Sequence, residues 1–387
     1  MRFAGPQTTG AGLFGCLLAA LAVIAVLSPE PDRLTDRPIY ETTANQTIVP
    51  DCTDLHCFRV LVAWTLGAIP GPSLIKWKTY AVLANASAAM AVLALGRTWG
   101  LSSRAALMAA LLSAFGFGSL YTLHDVFTSD PLMFALGPIV VWLLWHERVA
   151  VAAAVASIGV LAKEFVAAPL YVFAALAFVE HRRTLAWRTL AAANCALITW
   201  LLLQFVLMLR FNYGYGDNSS TQLLSGGYLA TWLSKQSAAG AVSAMVNEFG
   251  VLWLLAPIGL LIAPPSVQVF ALGCIPVALV FGYVQQPDRA LWNFHFIVTP
   301  LSALVLHRLN PAIAWTTIAA FAFANLRLGA QLPMVPAARF ALVLSALLAL
   351  AGLVMAWRAG QLSQWPWTWP SRELRGAPHS EAVVRLP

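Results

Sequence analysis

The sequence predicts an all-α, polytopic transmembrane protein, and three observations carry that prediction. Of 387 residues, 60% are hydrophobic and only 10% are charged, against roughly 45–50% and about 25% in soluble domains. So few charges cannot coat a water-soluble body of this size. The apolar residues fall into runs of span-like length, and the basic residues collect in the short connections between those runs.

The first run covers 10–27, follows Arg2 and ends at Ser28-Pro29-Glu30. It lacks the small residues of a cleavage site and reads as an uncleaved first span. Further runs cover 80–95, 105–120, 131–145, 149–162, 165–179, 190–209, 245–263, 267–284, 294–306, 312–324 and 340–357. A crossing helix takes about 20 apolar residues, so the shorter runs suit broken or re-entrant helices shielded by protein. The expected count is about twelve spans, within a range of roughly ten to thirteen. One transmembrane domain, 1–358, carries long outer loops at 28–79 and 210–244. A Trp-rich interfacial segment and a disordered inner tail fill 359–387. No internal repeat is visible.

Placing the N-terminus inside puts Arg97, Arg104, Arg148, Arg182, Arg183, Arg188, Arg308 and Arg358 on the inner side, as the bias of cytoplasmic loops requires. Only Glu147, Glu180, Glu373 and Glu381 then lie inside, and the other twelve acids lie outside. Acids contribute little to topology, so this asymmetry is independent of the assignment. It marks the outer face as the place for polar chemistry. The net charge of +7 is spread too thinly for a phosphate-tracking groove, which excludes nucleic acid as a partner.

Within the first outer loop, Asp54 opens a stretch that closes at Gly67 and Pro70. It is too short to span and reads as an interfacial helix in the headgroup plane. Cys52 and Cys57 share this loop, in a compartment where disulfides persist, and are expected to form a small local bridge. A zinc site with His56 lacks a fourth ligand, so neither metal nor cofactor is expected.

Several charged residues have both a bland and a chemical reading. Asp36, just after the first span, is an ordinary loop charge or a general base for an acceptor hydroxyl. Lys163-Glu164 interrupts an apolar stretch, as a mutually neutralised pair at a turn or as a functional ion pair. Asp130 before Pro131 caps the next helix or lines a polar cavity. Arg289 and Arg59 grip lipid headgroups or a ligand phosphate.

The order of these features resembles bacterial integral-membrane glycosyltransferases of the GT-C superfamily. An Asp precedes a Tyr after the first span (Asp36, Tyr40), Phe58-Arg59-Val60-Leu61-Val62 heads the interfacial helix, and an outer Asp-Pro precedes Gly159-Val-Leu-Ala-Lys163-Glu164. The resemblance implies a polyprenyl-phosphate-linked sugar donor and transfer on the non-cytoplasmic face of the inner membrane. Asp36 takes the place of the catalytic base, with Asp32 and Glu41 as rivals because no acidic pair stands there. Lys163, Arg289 and Arg59 are then donor-phosphate ligands, with Glu164 orienting Lys163 and with Asp130 and Tyr40 in support. A secondary transporter is the rival reading, but transporters show repeats with matching breaks near mid-membrane. A non-catalytic GT-C-like subunit of envelope assembly is the third.

Overall fold

The computed structural model describes residues 10–31, 36–214, 246, 248–284, 291–361 and 365. Among these residues the chain is all-helical, without a strand. α1 (Gly10–Leu27) buries Leu17, Leu21, Ile24 and Ala25 along one stripe, at helical spacing. It ends where Pro29 has no amide to continue the ladder. That stripe packs on α4 (Ser73–Thr98), which also contacts α5 (Ser103–Ala114) and α7 (Asp130–Trp145). α4 can serve three neighbours because Ala84, Ala86, Ala88, Ala89 and Ala91 are buried on it, and small residues let helices approach closely in lipid.

α5 and α6 (Phe117–His124) form one apolar stretch broken at Gly116. The Trp292 ring occupies the space a side chain would need, 1.9 Å from a Cβ at Gly116 and 2.3 Å from one at Gly118. Its indole N–H donates to Ser119 Oγ at 3.1 Å. α8 (Val149–Gly159), the 3-10 turn Glu164–Ala167, α9 (Ala168–Val179) and α10 (Arg183–Phe211) build a second group against α7. α11 (Leu252–Ile262), α12 (Pro265–Val284), the turn Leu291–Phe294 and α13 (His295–Leu306) follow, with α13 packed on α5 and α11. The hairpin of α14 (Pro311–Leu328) and α15 (Ala338–Arg358) closes the described chain.

α10 and α15 turn Leu202, Phe205, Leu209, Phe340 and Leu347 outward, an apolar surface that belongs in lipid. Five described stretches are long and apolar enough to cross a membrane, by length and composition: α1, α4, α5 with α6, α10 and α15. Each of the other predicted runs also overlaps a described helix. The protein is a multi-pass helical membrane protein. Of the predicted outer loop 210–244, residues 215–244 lie outside the described residues, as does most of the tail. Trp365 is described, and Arg308 lies over its ring.

The first outer segment departs from two local expectations. Residues around Tyr40 are helical, not loop: α2 (Arg37–Gln46) starts with Asp36 at its N-cap and Pro38 in its first turn, where proline's missing N–H has no consequence. The expected helix after Asp54 is broken at Arg59 into a 3-10 turn, Leu55–Phe58, and α3 (Val60–Gly67). The break arises because Asp54 caps the short turn through the His56 amide at 2.8 Å, and Arg59 leaves the helical region to point inward.

This segment is fastened to the bundle. Asp51 N–H donates to the Phe211 carbonyl at 2.9 Å, Gly214 N–H to Cys52 at 2.9 Å, and Leu61 N–H to Leu161 at 3.1 Å. Cys52 and Cys57 are joined by a disulfide and pack with Phe58, Leu207 and Tyr213. α3 in turn presses on α2, since a Cβ at Gly67 would lie 2.0 Å from the Ala44 carbonyl oxygen. Gly67→Ala therefore forces α2 away and is expected to destabilise by about 1–3 kcal/mol, as overpacking does. Thermal unfolding of the purified protein in detergent reads this, and an unchanged midpoint would contradict the close α2–α3 contact.

Candidate active site

Four connections converge at one end of the bundle: the start of α2, the turn Leu55–Phe58 with Arg59, the Ser129-Asp130 junction before α7, and Lys163-Glu164 before α9. Each brings a polar side chain that its own element cannot satisfy.

Asp36 is 14% exposed, and its Oδ2 lies 3.6 Å from His56 Nε2. The other ring nitrogen, Nδ1, lies 2.7 Å from Asp54 Oδ1, so the imidazole stands between two carboxylates. The hydrogen bond from His56 holds the Asp54 carboxyl below its usual value. One turn into α2, Tyr40 is fully buried, edge-on to His56 and Trp77, and donates to Ser129 Oγ at 3.4 Å. Burial pushes its phenol up to about 12, so it stays a neutral donor at physiological pH.

Two ion pairs close the site, and they are not the pair expected between neighbours. Lys163 pairs with Asp130, and Arg59 pairs with Glu164 at 2.9 Å. Lys163 is in extended conformation, so its side chain and that of Glu164 diverge. Glu164 therefore orients Arg59, not Lys163. Asp130 is likewise not a cap: Ser129 takes the N-cap position, and the Asp130 carboxylate turns sideways to Lys163. Both Lys163 and Asp130 are buried, at 1% and 3% exposure. Burial disfavours the Arg59 charge, but the Glu164 carboxylate, with Asp130, outweighs it and raises the guanidinium above its ordinary value. Arg59 Nε is buried without a hydrogen-bond partner among the described residues.

Glu41 lies 3.2 Å from Arg37, which also contacts Glu30 at 3.0 Å and lies over Phe127. Asp32 and Arg289 lie outside the described residues. Asp36, Tyr40, Arg59, Asp130, Lys163 and Glu164 are thus brought to one end of the bundle. His56 and Ser129 belong there too and were not assigned from the sequence; the Asp-x-His spacing at Asp54 was the available signal.

Beside the cluster, α3, α4 and α7 enclose a largely apolar cavity of about 580 Å3, lined among others by Leu66, Ile69, Tyr80, Leu83, Leu132 and Ile139. Lys76 caps the end of α3 through the Leu66 and Ile69 carbonyls at 2.8 and 2.9 Å, and Tyr80 Oη accepts from Leu132 N–H at 3.1 Å. Leu132, which lines the cavity, follows Asp130 of the buried ion pair by two residues.

No protein-family model matches the chain, and no curated protein matches it. Solved structures do. ArnT from Cupriavidus metallidurans, bound to undecaprenyl phosphate, is 12% identical over 92% of this chain and 79% of its own, with a TM-score of 0.53. The Archaeoglobus fulgidus oligosaccharyltransferase in its apo form is 13% identical over 95% of this chain, with a TM-score of 0.50. The match spans 57% of that oligosaccharyltransferase's length. At these identities the likeness is one of fold alone.

Removing one partner of a buried ion pair strands the other, at a cost of about 3–5 kcal/mol. Lys163→Ala is therefore expected to lower folded yield sharply, and Asp130→Asn in the same chain is expected to restore much of it. Size-exclusion chromatography of both variants decides. Equal loss in the single and double variants would contradict the pairing.

Proposed function

We propose that the protein is a membrane glycosyltransferase that moves a sugar from a polyprenyl-phosphate donor to an acceptor hydroxyl on the non-cytoplasmic face. The observation that carries this reading is the cluster of Asp36, Arg59 and the Lys163–Asp130 pair, with Leu132, two residues after Asp130, lining an apolar cavity. A lipid-linked sugar has those same parts in that order: a long apolar chain, an anionic phosphate and a reacting carbon. The bound undecaprenyl phosphate of ArnT, a protein of the same fold, supports a lipid donor of this class.

In this reading the helices cross the membrane about twelve times with the N-terminus inside, which sets the cluster at the outer surface of a bacterial inner membrane. The polyprenyl chain lies along α4 and α7. Arg59 turns its unpartnered Nε to a phosphate oxygen while Glu164 keeps hold of Nη2, a division that the guanidinium fork permits. Lys163 and Arg289 add positive potential where charge grows on the leaving phosphate. Asp36 takes the acceptor proton as the oxygen attacks the sugar carbon from the face opposite the phosphate, so the carbon inverts.

A general base typically contributes on the order of 10²–10⁴ in rate. Asp36→Asn is expected to lose activity on that scale, with expression intact. The assay is transfer of radiolabelled sugar from the host's own polyprenyl-phosphate-sugar pool in membranes containing the full chain. Undiminished transfer by Asp36→Asn would remove Asp36 as the base and move the role to Asp32 or Glu41.

A further inference from the structure

We propose that Arg104, His307 and Arg308 form a phosphate-binding site at the end of the bundle opposite the ion-pair cluster. Its ligand is the phosphate of an anionic phospholipid headgroup or of a soluble phosphate compound. The site does not depend on the glycosyltransferase reading above.

Chain direction fixes which end this is. Tyr80 on α4 meets Leu132 near the start of α7. Trp99, just past the end of α4, meets Trp145 at the end of α7, with ring centroids 5.5 Å apart. The connection from α4 to α5 therefore lies about 22 Å along α7 from Asp130, at roughly 1.5 Å per residue. α13 runs the same way, from His295 beside Phe134 to Leu306, and so delivers His307 and Arg308 to the start of α5. There Ser102 Oγ lies 3.2 Å from His307 Nε2. Burial, and then the charges of Arg104 and Arg308, push the His307 imidazole below its ordinary value. Both guanidiniums thus lie within charge reach of one ring.

No carboxylate answers these charges among the described residues. The described acids at this end, Glu147 and Glu180, both engage Arg182. Arg104 Nε and Nη2, Arg308 Nη1 and His307 Nδ1 are buried without a hydrogen-bond partner among the described residues, while all three side chains stay half-buried. Helix ends add to the same sign. Arg104 lies in the first turn of α5, and Arg308 just precedes Asn310 and Pro311, the cap and first residue of α14. Cations are disfavoured at helix N-termini and anions are favoured there. Two guanidiniums gathered at two such ends are an unfavourable arrangement until an anion joins them. A guanidinium fork matches the oxygens of a phosphate. The rings of Trp99, Trp142, Trp145 and Trp365 surround this end, with Arg148 over Trp142 and Arg308 over Trp365. Such a belt marks the headgroup level of a membrane, where phosphate is abundant.

The test is thermal unfolding of the full chain in detergent, titrated separately with phosphatidylglycerol and with inorganic phosphate. A ligand of the folded state raises the midpoint with concentration, so each titration gives an apparent affinity. Wild type is compared with the double variant Arg104→Gln/Arg308→Gln. The control is Arg183→Gln/Arg188→Gln, which removes the same charge from exposed positions on α10. At least one ligand is expected to raise the wild-type midpoint. Its affinity is expected to fall on the order of 10-fold or more in the double variant and to stay at the wild-type value in the control. A response to phosphatidylglycerol alone identifies a lipid headgroup as the ligand, and a response to inorganic phosphate identifies a soluble phosphate. Wild type that responds to neither ligand would overturn the site. So would an affinity unchanged in the double variant, or lost equally in the control. If the double variant fails to fold, Arg104→Gln alone, which leaves Arg308 over Trp365, carries the test, and wild-type affinity there overturns the site.

Discussion

Lys163 and Asp130 meet almost completely shielded from solvent, where a single unpaired charge is too costly to hold, and much of the site's geometry follows from that constraint. Asp130 is the first residue of α7, and Lys163 ends the turn after α8. Their attraction fixes the ends of two helices against each other. Glu164, thrown to the opposite side by the extended backbone at Lys163, captures Arg59 at 2.9 Å and draws the first outer segment onto the bundle. Arg59 is the point at which that segment breaks between its 3-10 turn and α3, so the position of His56, and through it Asp36, is tied to the same pair of ion contacts.

A buried ion pair adds little net stability, because desolvation offsets most of the attraction. Its value here is placement. In the site as described, cations and carboxylates are held at fixed positions beside an apolar cavity, with one guanidinium nitrogen left unpartnered. In the proposed reaction, an arriving phosphate meets donors that are already ordered, so little reorganisation is needed when charge develops. The disulfide and the backbone bonds to Phe211 and Gly214 do the same for the outer segment, which has a small core of its own.

The fold was largely legible in the sequence because lipid leaves a strong compositional mark. Apolar runs such as 10–27 and 131–145 coincide with α1 and α7 almost residue for residue, since their ends are set by Pro29 and by Ser129-Asp130-Pro131. Which residues could carry chemistry was legible too, because a charge such as Lys163 inside an apolar stretch is rare enough to stand out. Their pairing was not. Lys163 and Glu164 are adjacent in sequence, and only the extended backbone at Lys163 reveals that they face apart. Asp130 beside Pro131 carries every local signal of a cap, and long-range attraction to Lys163 overrides it. α2 was missed because Arg-Pro-Ile-Tyr-Glu has no apolar stripe beyond the Tyr40 and Thr43 positions. His56 was missed because its meaning depends on Asp36, twenty residues earlier.

The central claim is that the apolar cavity and the ion-pair cluster together form one site for a polyprenyl phosphate. A structure of the full chain in nanodiscs with added undecaprenyl phosphate tests this most directly. The account predicts density for the lipid chain along α4 and α7, passing Leu83 and Ile139, with the phosphate within hydrogen-bond distance of Arg59. Lipid density elsewhere, with the cavity empty and Arg59 Nε still unpartnered, would contradict it.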